Sequence, residues 1–307
     1  MIKYVKKCLK DKRMIIKYFL KSPLSNFLSD KAFLSLAYRA NLGKKLNLEN
    51  PVTFNEKLQW LKVYDKNPEY HKLVDKYEVR KYIEEKLGSE YLIPLLGVYD
   101  SFEEIDFDAL PNEFVLKPTH TSGNVFICRN KADIDMQKLK KEVNGWLRRD
   151  YYSQNREWVY KNLKRRIIAE KLMVDESGYE LKDYKFFTFD DEVKAMFIAT
   201  DRNAETDTCF DFYDRDFNHL PFTNGHPNSQ KSLSKPESYD KMVELAEALG
   251  KGFPHLRVDF YSINGNIYFG ELTFFHWSGF VPFEPKEWDY TMGSWIKLPD
   301  KNNAKEA

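Results

Sequence analysis

The sequence contains few cysteines and histidines, and their spacing excludes several kinds of site. The three cysteines, Cys8, Cys128 and Cys209, lie far apart, and neither a CxxC pair nor an HExxH pattern occurs. We therefore expect a reducing compartment and neither a disulfide framework nor a zinc site. The net charge of +1 argues against a globally basic nucleic-acid-binding protein. Neither a Walker GxxxxGK[ST] motif nor a GxGxxG motif occurs, so a P-loop or dinucleotide site is not predicted.

Long apolar runs are also missing. No run of about 18 apolar residues occurs, so no segment is predicted to span a membrane. Residues 1–21 have neither an uninterrupted apolar core nor a small-residue cleavage site, unlike a signal peptide. Against the single acid Asp11, this segment carries Lys3, Lys6, Lys7, Lys10, Lys12, Arg13, Lys17 and Lys21. Two interpretations stay open: an interfacial helix attracted to anionic lipid, or a solvated helix that packs on the protein body.

The composition, with 42% hydrophobic and 31% charged residues, is typical of a soluble globular protein. The length predicts roughly two or three lobes. Helical and strand-like patterns alternate loosely, which is typical of an α+β fold with mainly antiparallel sheets. Helices are predicted at 53–87, with a second helix starting at about residue 75, and at 135–149, 156–166 and 236–250. Strands are predicted at 91–99, 113–118, 124–128, 167–172, 182–190, 192–200, 208–214, 255–262 and 266–274.

The last predicted hairpin carries alternating charged residues. Arg257 and Asp259 share one face of the first strand, and Glu271 and Thr273 share one face of the second. A two-residue Asn264-Gly265 turn would put Glu271 on the opposite face from Asp259. A three-residue loop of residues 263–265 would pair Arg257 with Glu271 and make Asp259 its diagonal neighbour. We choose the three-residue loop because it collects the apolar residues on one side. The pair of carboxylates then suits a shared hard cation, whereas the alternative is an exposed surface ion pair.

Two further segments have patterns that suit a nucleotide. Lys117 ends an apolar strand just before the small, hydroxyl-rich segment 119–124, so it could reach phosphates that this loop then covers. The alternative is a solvated lysine at a strand end. Residues 170–173 end a second apolar strand, where backbone groups could bind an adenine edge and the side chains of Leu172 and Met173 could contact the ring. The alternative there is ordinary core packing.

Taken in order, these motifs resemble the ATP-grasp superfamily, and most closely its TupA-like branch, which is named for teichuronopeptide biosynthesis. The resemblance covers about residues 30–300. It rests on Thr53-Phe54-Asn55-Glu56-Lys57-Leu58-Gln59-Trp60, Asp75-Lys76-Tyr77-Glu78-Val79-Arg80, Asp183-Tyr184-Lys185-Phe186-Phe187, Arg257-Val258-Asp259-Phe260-Tyr261, Gly270-Glu271-Leu272-Thr273-Phe274, Ser278-Gly279-Phe280 and Trp288.

The resemblance implies a role for each candidate residue. Lys117 would bind the α- and β-phosphates under a loop that includes Thr119, Ser122 and Gly123. The residues lining the adenine would be Glu170, Lys171, Leu172 and Met173. Asp259, Glu271 and Thr273 would hold Mg²⁺, with Thr273 standing where many ATP-grasp enzymes have Asn. Lys185 and Arg257 would face the γ-phosphate or the forming acyl phosphate. His276 and Trp277 would lie near the acceptor.

The resemblance also implies an ATP-grasp fold, in which two α+β lobes grip ATP between antiparallel sheets behind a helical N-terminal extension. The predicted divisions are 1–50, 51–110, 111–172, 173–300 and a polar tail at 301–307. The implied activity is ATP- and Mg²⁺-dependent carboxylate–amine ligation in cell-surface polysaccharide biosynthesis. The carboxylate would be borne by a small-molecule or lipid-linked glycan. We expect a cytoplasmic protein. A location at the inner face of the cell membrane is the open alternative. The alternatives are a kinase or glycan-modifying transferase, and a binding module that has lost catalysis.

Overall fold

The computed structural model describes residues 12–176, 178, 181–201, 208–229, 231 and 233–301. Cys8, most of the basic segment 1–21 and residues 302–307 of the predicted tail lie outside these residues. The α-helices of the described part are α1 (Lys12–Leu20), α2 (Asp30–Leu42), α3 (Phe54–Tyr64), α4 (Tyr70–Val74), α5 (Val79–Lys86), α6 (Met136–Arg148), α7 (Tyr152–Asn155), α8 (Tyr239–Gly250) and α9 (Glu287–Trp295).

The β-strands form antiparallel sheets. They are β1 (Leu95–Tyr99), β2 (Phe114–Pro118), β3 (Phe126–Cys128), β4 (Ile167–Lys171), β5 (Asp183–Phe189), β6 (Glu192–Thr200), β7 (Cys209–Tyr213), β8 (Thr223–Asn224), β9 (Leu256–Ile263), β10 (Asn266–Thr273) and β11 (Phe283–Glu284). A four-stranded sheet has the order β1-β4-β2-β3, and a five-stranded sheet has the order β10-β9-β5-β6-β7. Strands β8 and β11 form a small third sheet. The predicted α+β class with antiparallel sheets is therefore confirmed.

Local sequence signals explain where several helices begin. Thr53 and Glu56 form the capping box of α3, in which the Thr53 hydroxyl accepts from the Glu56 N–H and the Glu56 carboxylate accepts from the Thr53 N–H. Asp135 caps α6 in the same way by accepting from the Lys138 N–H. The predicted helix from residue 75 begins only at Val79. The Asp75 carboxylate accepts from the N–H groups of Tyr77 and Glu78 and holds the chain in a turn before it.

The predicted helix over residues 156–166 is wrong. Only a 3₁₀ turn, Trp158–Tyr160, forms in this segment. Arg156 and Asn162 adopt left-handed φ angles of 53° and 61° on either side of it, and an α-helix cannot continue through such residues. The adjacent side chains of Trp158 and Val159 are both buried, which a solvent-exposed helix would not allow.

The two main sheets belong to two separate hydrophobic cores. The larger core joins the five-stranded sheet to helices α2–α5, α8 and α9, with Phe186 and Val258 fully buried. The smaller core lies between the four-stranded sheet and α6, where Leu116 packs with Val143. The domain divisions themselves stay a prediction. Helix α1 contacts α2 and leaves Ile15 and Tyr18 exposed, and no helix of the described residues is long and apolar enough to cross a membrane.

Helices α3 and α9 meet at Gly293, where a side chain would collide with the backbone. A Cβ at this position would lie 2.4 Å from the Val52 carbonyl oxygen and 2.6 Å from the Phe54 nitrogen. We expect Gly293→Ala to lower the free energy of unfolding by about 2–3 kcal/mol, because backbone atoms must shift to admit the methyl group. Urea unfolding measures the change.

Gly145 in α6 is the matched control, since no atom lies within 4 Å of a Cβ built there. Gly145→Ala is expected to raise the free energy of unfolding by about 0.5–1 kcal/mol because alanine favours the helix. Equal effects of the two substitutions would contradict the close approach of α3 and α9.

Candidate active site

A cavity of ≈ 800 Å³ separates the four-stranded sheet from the five-stranded sheet. Strands β2 and β4 supply one wall, and β5, β9 and β10 supply the other. The fold thereby brings Lys117 and Glu271, which are 154 positions apart in the chain, into the lining of one cavity. The predicted site residues that line the cavity are Lys117, Ser122, Gly123, Glu170, Lys171, Leu172, Met173, Lys185, Arg257, Asp259, Glu271 and Thr273.

Thr119 is the predicted site residue that the described structure does not place in the cavity lining. Its side chain is fully buried, and its N–H donates to the Arg166 carbonyl over 2.9 Å. Its own carbonyl accepts from the Lys76 N–H over 3.1 Å. Thr119 therefore anchors the start of the loop between β2 and β3. Its hydroxyl donates to the Lys164 carbonyl over 3.5 Å, and its role in a loop that covers a nucleotide stays a prediction.

The rest of this loop is held by hydrogen bonds on both sides of its tip. The Lys76 ammonium donates to the Thr121 carbonyl over 2.6 Å, and Arg149 donates to the Asn124 side-chain oxygen over 2.8 Å. Ser122 and Gly123 lie between these anchors and face the cavity. Gly123 has a φ of +81°, and among the described residues no atom lies within 4 Å of a Cβ placed there. This arrangement places the Ser122-Gly123 tip in the lining of the cavity.

The register of the β9–β10 hairpin differs from the predicted one. Ile263 pairs with Asn266, so the turn contains only Asn264 and Gly265, at φ angles of 49° and 80°. The predicted three-residue loop is therefore wrong. A β-bulge at Gly270 then shifts the register by one residue.

The bulge produces a pairing that neither predicted turn includes. Asp259 lies directly opposite Glu271, and Arg257 lies opposite Thr273. A Cβ at residue 270 would lie 3.1 Å from the Asp259 carbonyl oxygen, so any side chain there would require the neighbouring backbone to shift. The predicted outcome, with both carboxylates on one face beside Arg257, is confirmed by this different route.

Arg257 ties the two carboxylates together. Its Nε donates to Asp259 Oδ1 over 2.7 Å, and its Nη2 donates to Asp259 Oδ2 over 2.8 Å and to Glu271 Oε1 over 3.0 Å. Asp259 is 1% exposed and Arg257 is 8% exposed. The alternative of an exposed surface ion pair is therefore excluded, and the fork holds both acids in fixed positions.

Further lysines surround the same acids. Lys185 donates to Asp259 and lies 3.2 Å from Asp183, and Lys76 lies 3.9 Å from Glu271. Burial alone would raise the pKa of Glu271, but the charges of Lys76, Arg257 and Lys185 lower it to about 2. Burial raises the pKa of Asp259, although Arg257 and Lys185 favour its ionised form.

The opposite wall carries a second group of charges. Lys117 donates to Glu170 Oε2 over 2.8 Å, and Arg80 donates to Glu170 Oε1 over 3.3 Å and to the Ile93 carbonyl over 2.9 Å. Lys117 lines the cavity, and its predicted contact with phosphates stays a prediction. Glu170, expected to contribute only backbone contacts, has a buried side chain that orients both cations.

Part of the cavity lining is apolar. The apolar side chains come from both walls, namely Ile93, Val115, Ile168, Leu172, Met173 and Phe269. A cavity lined by apolar side chains and by several converging charges suits a ligand that has an apolar part and an anionic part. The use of residues 170–173 as an adenine hinge stays a prediction.

Three residues that line or support the site have no predicted role, namely Lys76, Glu157 and Lys62. Lys76 belongs to one of the motifs but has no predicted role. Its ammonium donates to the Thr121 carbonyl of the loop and lies 3.9 Å from Glu271. Glu157 lines the cavity and accepts from the Ser278 hydroxyl, which in turn accepts from fully buried Lys62 over 3.2 Å. These partners are 121 and 216 positions apart in the chain, so no local spacing could have indicated them.

The acids fit Mg²⁺ as part of a larger ligand set. Within the described residues no group of three or more His, Cys, Asp or Glu is arranged to hold a metal ion by itself. Mg²⁺ in nucleotide sites is usually bound by one or two carboxylates together with phosphate oxygens and water. The directly opposed Asp259 and Glu271 supply that number of hard oxygen ligands. The Thr273 hydroxyl is directed at Glu271 Oε1 over 3.4 Å, so its role as a ligand stays a prediction.

Two facing antiparallel sheets with cations and paired acids between them define an ATP-grasp protein. A family model described as TupA-like ATPgrasp matches residues 56–297, and the chain belongs to this family. The resemblance inferred from the motifs is thereby confirmed. A search of curated proteins found no match.

The chain is also similar, over part of its length, to several solved structures. D-alanine–D-alanine ligase from Bacillus anthracis, complexed with ATP, is 15% identical with a TM-score of 0.41, covering 66% of this chain and 54% of that one. L-amino acid ligase from Bacillus licheniformis is 10% identical with a TM-score of 0.46, covering 91% of this chain and 63% of that one. The chain therefore spans about half the length of the first of these, at 54%.

Proposed function

We propose that this chain is an ATP-dependent carboxylate–amine ligase that acts on a cell-surface polysaccharide precursor. The observation that carries the proposal is the cavity in which Lys76, Lys117, Lys185 and Arg257 converge around the opposed acids Asp259 and Glu271. Four cations in one cavity suit a polyphosphate, and the opposed acids suit the Mg²⁺ that accompanies it. The polysaccharide context comes from the family resemblance.

In the proposed reaction, a substrate carboxylate oxygen attacks the γ-phosphorus of ATP, and the bond from that phosphorus to the β-bridging oxygen breaks. An amine then attacks the acyl carbon, the carbon–oxygen bond to phosphate breaks, and one proton is released. The products are an amide, ADP and phosphate. Most of the rate enhancement expected from such a site comes from positioning and charge neutralisation.

The proposed reaction gives a role to the predicted site residues on both walls of the cavity. Lys117 binds the α- and β-phosphates, with the Ser122-Gly123 tip above them. Lys185 and Arg257 neutralise charge on the transferring phosphoryl group. Asp259 and Glu271 would hold Mg²⁺, which supplies further neutralisation of phosphate charge when bound. The proposal also places the protein in the cytoplasm, with the membrane's inner face and residues 1–21 as a candidate contact.

Thermal unfolding with and without MgATP tests the nucleotide site. Ligand that binds only the folded state at about 100 times its Kd stabilises it by about 2.7 kcal/mol, so we expect a rise in Tm of roughly 5 °C. Lys117→Ala and Asp259→Asn are expected to abolish this rise, because each removes a charge that contacts the nucleotide or its cation. The matched control is Lys138→Ala, an exposed lysine on α6, which should keep the full shift.

A wild-type protein that folds but shows no shift at saturating MgATP would contradict the proposal and favour a binding module without catalysis. Where the shift is present, phosphate release distinguishes the enzyme classes. A ligase releases phosphate only when both the carboxylate and the amine are supplied. A kinase or transferase would consume ATP with the glycan alone and give a phosphorylated or otherwise modified product.

A further inference from the structure

The orientation of Asn224, on the small strand β8, follows from its hydrogen bonds. Its side-chain NH₂ donates to the Val281 carbonyl over 3.2 Å and to the Pro282 carbonyl over 3.0 Å. Both N–H donors of the amide are therefore used by acceptors that cannot donate. The amide oxygen must consequently point the other way, where it lies 2.9 Å from Nε2 of His276.

This orientation determines the tautomer of His276. An amide oxygen only accepts, so Nε2 of His276 carries the proton and donates it to Asn224. Nδ1 is then unprotonated, and its lone pair accepts a hydrogen bond from Nη1 of Arg257 over 2.9 Å. His276 and Asn224 are 2% and 1% exposed, so water does not compete for these bonds. Burial, followed by the charge of Arg257, lowers the pKa of His276 well below its usual range and keeps the ring neutral.

A guanidinium group has five N–H donors, and four of those of Arg257 are committed. Nε and both hydrogens of Nη2 bond to Asp259 and Glu271, and one hydrogen of Nη1 bonds to His276. Among the described residues, the second hydrogen of Nη1 has no hydrogen-bond partner, and Arg257 lines the cavity. One donor in a fixed direction is thus left for a ligand.

We propose that His276 and Asn224 are positioning residues that lock the Arg257 guanidinium so that its remaining N–H is directed at the terminal phosphate of a nucleoside triphosphate. The inference rests on the proposed function, because it assumes that a nucleotide occupies the cavity. It predicts that the hydrogen bonds from Asn224 through His276 to Arg257 strengthen the binding of a triphosphate and contribute nothing to the binding of a diphosphate.

The competing interpretation is that His276 only fills the core. Its ring packs edge-on against Phe187 with centroids 5.0 Å apart and lies 5.6 Å from Phe197. His276→Phe separates the two interpretations, because phenylalanine keeps an aromatic ring in the core but cannot accept from Arg257. His276→Asn is the conservative variant, since its amide oxygen can take the place of Nδ1. His255→Phe is the matched control, a buried histidine of the same core that bonds to the Thr188 carbonyl.

Isothermal titration calorimetry at constant Mg²⁺ gives the Kd of ADP and of the β,γ-imido analogue of ATP for each variant. We expect His276→Phe to weaken the triphosphate analogue about tenfold and to change the Kd of ADP less than about twofold, since one hydrogen bond to a charged group is weakened. His276→Asn should recover most of the loss. His255→Phe should change neither Kd.

Two results would overturn the inference. Unchanged binding of both nucleotides to folded His276→Phe would leave His276 as core packing, and equal weakening of both would mean that it does not act on the terminal phosphate. Should His276→Phe fail to fold, a His276→Asn variant that loses triphosphate binding as fully as Arg257→Ala would also contradict it. Failure of the proposed function is a separate result, because the wild type would then bind neither nucleotide.

Discussion

Asp259→Asn and Glu271→Gln are each expected to lower Mg²⁺-dependent phosphate release from ATP by at least about a thousandfold. The loss corresponds to about 4 kcal/mol of transition-state stabilisation, which is within the range of a metal ion acting on a phosphoryl group. Each change removes the negative charge of one of the two directly opposed carboxylates proposed to bind Mg²⁺, and it leaves Arg257 with less compensating charge. Phosphate release is measured with a panel of carboxylates and amines at saturating MgATP.

This experiment needs a control variant that loses a buried negative charge outside the cavity. Asp211 is a buried carboxylate on β7 of the same sheet, 2% exposed, and it does not belong to the cavity lining. Asp211→Asn should keep near wild-type phosphate release. Unfolding of Asp259→Asn would leave Glu271→Gln as the informative variant, because the Glu271 side chain is 29% exposed and more easily replaced. Unchanged turnover in that variant would contradict the metal assignment.

The β9–β10 hairpin shows how far a sequence pattern determines a site. Alternation correctly placed Arg257 and Asp259 on one face, because side chains in a strand alternate strictly. It could not determine the register, since two loop lengths were compatible with the same residues. The structure satisfies the alternation through a two-residue turn and a bulge at Gly270. A glycine inside a predicted strand was the available signal for that bulge, and it was not used.

The other errors have a common physical origin in contacts that are distant in the sequence. Residues 156–166 have a helix-like composition, but Trp158 is buried against Tyr70, with stacked rings 5.8 Å apart, and this contact favours the 3₁₀ turn. Strand β6 matched its predicted range of 192–200 because its continuous apolar run, buried from residue 195 to residue 200, is local information. Most of the residues proposed to bind the ligand were predictable from motifs, whereas the contacts of Lys76, of His276 with Asn224 and of Lys62 with Ser278 and Glu157 depend on tertiary packing.

The buried pair of Lys62 and Glu157 leads to the largest expected effect on stability. Lys62 on α3 donates to the Ser278 carbonyl over 2.8 Å, to the Ser278 hydroxyl over 3.2 Å and to the Asn155 carbonyl over 3.2 Å. The same hydroxyl donates to Glu157. We expect Lys62→Met to lower the free energy of unfolding by about 3 kcal/mol, because removing one partner leaves the other charge buried.

A double-mutant cycle with Glu157→Gln isolates the interaction. The double variant should be more stable than the sum of the single effects predicts, by at least about 1 kcal/mol, because both buried charges are then gone. Urea unfolding at about pH 6 gives the four free energies. Lys57→Met on the same helix is the matched control, since among the described residues the Lys57 ammonium bonds only to the Ile296 carbonyl, and about 1 kcal/mol is expected there. Additive single effects would contradict the coupling.

The pH dependence of the same variants tests the protonation of Lys62. Burial is the main cause that lowers its pKa from 10.5 to about 7 in the folded protein. Between these values the unfolded chain binds the proton and the folded chain does not, so this group makes the protein more stable as pH rises. The wild type should therefore gain stability relative to Lys62→Met between about pH 7 and 9, by at most about 1.4 kcal/mol per pH unit. A constant difference across this range would mean that folded Lys62 keeps its proton and forms an ion pair with Glu157.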